Sequence, residues 1–137
     1  MQADSRPVSS TQSQPHPRLA EVIARHMQHE FRKPLSSFGA QPFEHAMSAW
    51  HANGGSLVID CGCGVGLSTR RLARQFPHAF VVGIDQSAYR LGRQLRDTPP
   101  PPANCITVRA DLVDFWQRLA LAGVQPLRQY LLYPNPW

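Results

Sequence analysis

The chain has 137 residues, 42% of them apolar and 17% charged, with a formal net charge of +5. That length holds one domain with a modest core, and the composition excludes a wholly disordered protein. No apolar run reaches membrane length, no signal-peptide core opens the chain, and three cysteines cannot all pair, so a reduced cytoplasmic protein with no membrane contact is expected.

Residues 1–16 are rich in Ser, Gln and Pro and read as a disordered tail. Residues 17–55 read as N-terminal helices. Leu19, Val22, Ile23 and Met27 recur at helical spacing, as do Phe43, Ala46, Met47 and Trp50, with a break around Pro34 to Gly39. His26, His29 and His45 lie on or beside these helices without a partner pattern, and read as surface or capping residues. From Ser56 the pattern alternates. Ser56–Asp60, Phe80–Asp85, Cys105–Arg109 and Tyr130–Tyr133 read as short buried strands, and 67–76, 88–96 and 112–122 as helices between them. Leu112, Phe115, Trp116 and Leu119 form a core-facing stripe on the last helix. Thr98 to Pro102 can be neither helix nor central strand, and reads as a stiff surface connection. The implied fold class is α/β with a parallel sheet.

The first strand runs into Asp60-Cys61-Gly62-Cys63-Gly64-Val65-Gly66, and Asp85 closes the second strand 25 positions after Asp60. Three glycines in five residues suit a loop wrapped closely around a ligand, and the second acid falls where a ribose diol sits in a doubly wound sheet. A dinucleotide loop needs GxGxxG; here Gly66 comes one residue early and Leu67 holds the third glycine's place. Asp60 before the turn would repel a pyrophosphate but suits the cationic amino group of a methionine moiety. S-adenosyl-L-methionine is therefore favoured over NAD, against the plain alternative of an ordinary tight turn. Asp111 follows the third strand and Asn135 the fourth, so each strand ends in a polar residue at the carboxyl edge of the sheet. Cys61 and Cys63 diverge around Gly62 and complete no metal site.

The strings IDCGCGVG, GID at Asp85, RADLVDFW around Asp111 and YLLYPNPW at the end resemble the tRNA (guanine-N7)-methyltransferases, from about Ser56 to Trp137. The P-x-P-W ending is the family-specific part. The resemblance implies the N-terminal half of a Rossmann-like class I methyltransferase, with parallel strands in the order 3-2-1-4 and tRNA as substrate. It implies that Asp60 contacts the methionine end of the cofactor, that Gly62, Gly64 and Gly66 form the loop beneath it, and that Asp85 holds the ribose. Asp111 would face the adenine amino group, and Asn135 would stand at the active-site acid. Two departures stand out: Asn135 replaces the usual Asp or Glu, and the strands that follow P-x-P-W in the family have no counterpart, so a truncated and inactive chain is expected. P-N-P-W also lies one residue of register from the N-P-P-[YFW] motif of amino-methyltransferases, leaving an exocyclic amine open as the target. A class I methyltransferase of a small molecule or protein and a noncatalytic cofactor-binding fragment stay open too. Thirteen of the fourteen Lys and Arg residues are Arg, including Arg70, Arg71, Arg74, Arg90, Arg93 and Arg96 on two helices, which suits phosphate contacts or reflects a compositional preference.

Overall fold

The computed structural model describes residues 13–93 and 99–132. The chain divides into two compact units at Pro34. In the first, the helix α1 (Leu19–Met27) buries none of its residues, with Leu19 and Ile23 about half exposed. The expected apolar stripe is present, but among the described residues none of it is buried.

The second unit is a parallel sheet. In chain order it contains a 3-10 turn (Ser37–Gly39), α2 (Ala40–Asn53), β1 (Ser56–Cys61), α3 (Leu67–Gln75), β2 (Ala79–Asp85), α4 (Ala88–Leu91), β3 (Cys105–Arg109), α5 (Leu112–Leu121) and β4 (Arg128–Leu131). The strand order is β3-β2-β1-β4 and every pairing is parallel. This is the Rossmann-like arrangement expected of the sequence, in which the strand order reverses beside β1 and opens a crevice at the carboxyl edge. β2 is buried along its whole length and β1 beyond Ser56, which is why both read as continuous apolar runs.

Alternate residues of each strand feed two cores. Leu57, Ile59 and Cys61 of β1 face α2 and α5, where Phe43 meets Phe115 edge-on with ring centroids 5.1 Å apart. Val58 and Val81 face α3 through Leu72 and Ala73. Asn104 fastens the second layer: its side-chain amide donates to the carbonyls of Ala73, Phe76 and Ala79 at 2.9–3.2 Å.

Two elements differ from expectation by more than one residue, and the fourth strand, expected to be buried, is mostly exposed because it is paired on one side only among the described residues. β4 begins at Arg128, two residues early, because the ladder to β1 pairs Val58 with Arg128 and Cys61 with Leu131 whatever the side chains' polarity. The helix expected over 88–96 has its described helical part at Ala88–Leu91, followed by Gly92 as C-cap, and residues 94–98 lie outside the described residues.

Candidate cofactor site

The glycine loop leaves β1 at Cys61 and enters α3 at Leu67. Gly62, Gly64 and Gly66 all adopt the left-handed backbone conformation, at φ of 72°, 59° and 83°. A side chain at any of them would be strained there. At Gly62 a Cβ would meet open space, whereas at Gly66 it would press on Thr107 at 3.1 Å. The loop is stitched to β2 from beneath: the amides of Gly62 and Cys63 both donate to the Ile84 carbonyl, at 2.8 and 3.0 Å.

Asp60 is fully buried. Its Oδ2 accepts from the hydroxyls of Ser68 and Thr69, at 2.6 and 2.7 Å, both on the first turn of α3. Its Oδ1 has no hydrogen-bond partner among the described residues. A buried carboxylate oxygen without a donor is costly. The atom is therefore suited to a cationic donor brought by a ligand, in keeping with the methionine-end reading of this acid.

Gly83 makes this arrangement possible. It stands opposite Asp60 in the β1–β2 register. A Cβ there would lie 2.3 Å from Thr69 Oγ1 and 3.0 Å from Cys63 Sγ. Sequence reasoning passed over Gly83, although a lone glycine inside an apolar strand is itself a signal of close approach.

Asp85 is nearly as buried, with 4% exposure. Its Oδ2 accepts from the amide of Gly64 at 2.9 Å and its Oδ1 from the amide of Ser87 at 2.8 Å. The second acid thus grips the middle of the glycine loop directly, a link that spacing alone did not reveal. Arg90 Nη1 lies 3.6 Å from Oδ2 from a half-exposed position. Asp111 caps α5, its Oδ1 accepting from the Asp114 amide at 2.9 Å. The amide of Ala110 donates to the Asp85 carbonyl at 3.1 Å and so ties the exit of β3 to that of β2. Asp60, Asp85 and Asp111 all stand at the carboxyl edge of the sheet; Asn135 lies outside the described residues.

Cys61 and Cys63 flank the loop as buried free thiols. Burial pushes Cys61 up to about 11, with the charge of Asp60 adding and the Trp116 indole opposing. Burial, then Asp60, pushes Cys63 up to about 12 against a hydrogen bond with Thr69. Both are neutral packing groups at physiological pH and not nucleophiles. Among the described residues, no helix is long and apolar enough to cross a membrane.

Residues 58–120 match the family model described as a methyltransferase domain. The chain is 50% identical to a trans-aconitate 2-methyltransferase of Deinococcus radiodurans over 36 residues, covering 26% of this chain and 14% of that protein. It is 51% identical to one from Afipia carboxidovorans over 43 residues, covering 31% and 16%. It is 30% identical over 97 residues to a tRNA (guanine-N(7)-)-methyltransferase of Mycobacterium avium, covering 65% of this chain and 34% of that protein. The matched segments therefore span at most about a third of these relatives. No solved structure matches the chain. Residues 58–120 thus resemble a methyltransferase domain of class I, a class that takes S-adenosyl-L-methionine as methyl donor, and the glycine loop with its two buried acids suits that cofactor.

Proposed function

We propose that this S-adenosylmethionine-dependent methyltransferase domain belongs to an enzyme that methylates guanine N7 in tRNA. The observation that carries the reading is the reach of the likeness. The match to the guanine-N7 enzyme extends over 65% of the chain, whereas those to the trans-aconitate enzymes stop at 26% and 31%. The P-x-P-W ending and the Arg-rich helices support it from the sequence.

In this reading Asp60 Oδ1 accepts from the amino group at the methionine end, and the backbone of Gly62, Gly64 and Gly66 lies under the cofactor. Asp85 accepts from the ribose hydroxyls, with Gly64 and Ser87 holding its carboxylate in place. Asp111 faces the adenine amino group, and Asn135 orients the target base. Bound S-adenosylmethionine supplies an electrophilic methyl group on a sulfonium. Guanine N7 has a lone pair and no proton, so the chain's residues need to align and place the base more than to remove a proton. Asn135, as a neutral amide, can both donate to and accept from the base edge.

Incubation of a version of the protein extended by the segment that follows P-x-P-W in the family, with S-adenosylmethionine and unmodified tRNA, followed by nucleoside mass spectrometry, tests the reading. 7-Methylguanosine is expected, with Asn135→Asp keeping or raising the yield because it restores the family's usual residue at nearly the same volume. N2-methylguanine or N6-methyladenine in its place would move the protein to the amine-methylating class. Methyl transfer to trans-aconitate alone would move it to the small-molecule class.

A further inference from the structure

A cavity of about 920 Å3 opens at the carboxyl end of β3. One side of it is Gln86, which follows Asp85, together with Ala110 and Asp111; Phe38, Gln41 and His45 of the 3-10 turn and α2 also line it. These last three lie outside the segment that matches the methyltransferase domain.

Phe38 is 90% exposed. A large apolar ring left in water forgoes the stabilisation that burial would give it, yet the turn that carries it is firmly held. The Ser36 amide donates to Asp114 Oδ1 at 2.6 Å, and Arg118 Nη2 donates to the Ser36 carbonyl at 2.6 Å. Arg118 Nε donates to Asp114 Oδ2 at 2.8 Å, and Asp114 is 2% exposed. The backbone of Gly39 lies so close to this pair that a Cβ would overlap the Asp114 carboxylate. Ser36 Oγ then accepts from the Phe38 amide at 3.2 Å. A buried ion pair contributes little net stability, but with its hydrogen bonds made it fixes geometry. What it fixes here is a bare aromatic ring on the rim of a cavity that begins one residue beyond Asp85.

We infer that Phe38 is a stacking face for the adenine ring of S-adenosylmethionine, and that residues 36–45 supply one side of the purine pocket. The inference rests on the reading of Asp85 as the ribose acid, since a ribose held there places its base beside Gln86 and Asp111. An aromatic face is a sequence-tolerant platform for a planar base, and loss of one stacked ring typically weakens binding about tenfold.

Calorimetric titration of the 137-residue chain with S-adenosylhomocysteine and with adenosine tests it. Phe38→Ala, at an exposed position where the fold has nothing to lose, should weaken both ligands by about the same tenfold factor. Phe38→Tyr should restore them. Unchanged affinities in Phe38→Ala, or a loss confined to S-adenosylhomocysteine, would overturn the inference and leave the cofactor reading standing. Failure of the parent chain to bind either ligand would overturn both.

Discussion

Gly83→Ala is the sharpest perturbation of the site, because one methyl group placed in β2 acts on Asp60 in β1. The new Cβ would sit 2.3 Å from Thr69 Oγ1, far inside contact distance, and 3.0 and 3.1 Å from Sγ and Cβ of Cys63. Thr69 is fully buried. Overpacking of this kind costs about 1–3 kcal/mol. Displacing Thr69 also breaks its 2.7 Å hydrogen bond to Asp60, and a bond to a charged group contributes about 1.5–3 kcal/mol. The sum, about 2.5–6 kcal/mol, is a large part of the 5–15 kcal/mol of an ordinary domain. Thr69→Ala alone loses the hydrogen bond, about 2 kcal/mol by the same reasoning. In the Thr69→Ala background the worst clash is gone, so Gly83→Ala should then cost only about 1 kcal/mol, for the tight contact with Cys63. Urea unfolding of the parent, both single variants and the double variant measures the cycle. A favourable coupling of about 3 kcal/mol is expected. Additivity within about 0.5 kcal/mol would refute the proposed route from Gly83 through Thr69 to Asp60.

Two further outcomes are expected. Asp85→Ala should weaken S-adenosylhomocysteine at least about tenfold by calorimetry, since the carboxylate both meets the ribose and anchors Gly64; equal affinities would remove the second acid from the site. Because Cys61 and Cys63 are raised from 9.0 to about 11 and about 12, their thiols ionise in the unfolded chain first, so stability present below pH 9 should be lost as pH rises from there through the folded-state values. Urea midpoints measured up to pH 11 should fall less steeply in a Cys61→Ala/Cys63→Ala variant, and parallel slopes would contradict the burial argument.

Much of this arrangement could be read from the residues, because local patterns and global fold agree. The two innermost strands are apolar along nearly their whole length, the glycine loop follows one of them, and an acid closes each, so the parallel α/β class and the carboxyl-edge acids followed from composition and spacing, while the strand order came from the family resemblance. What escaped depended on partners distant in the chain. β4 was placed by its apolar letters at Tyr130, but its hydrogen bonds to β1 begin at Arg128. By spacing alone the i, i+4 pair Asp114 and Arg118 offers no more than a local helix contact. It is instead a buried clamp whose third member is the Ser36 backbone, about eighty residues earlier, and no side-chain pattern reports a backbone partner. The apolar spacing of α1 is genuine, yet spacing identifies a face and not what covers it.

The strand order also sets a schedule for synthesis. β1 is made before β2 and can close one side early through the short α3 crossover, but its other side waits for Arg128, which pairs with Val58 roughly seventy residues later. At ribosomal rates of about 5–20 residues per second, that wait lasts roughly 4–14 s. Through it a strand that is buried from Leu57 to Cys61 in the finished fold keeps one open row of backbone donors and acceptors on the nascent chain. Slow codons across 112–127 would lengthen the interval between Cys61 and Arg128 leaving the ribosome, and with it the time that edge stays open.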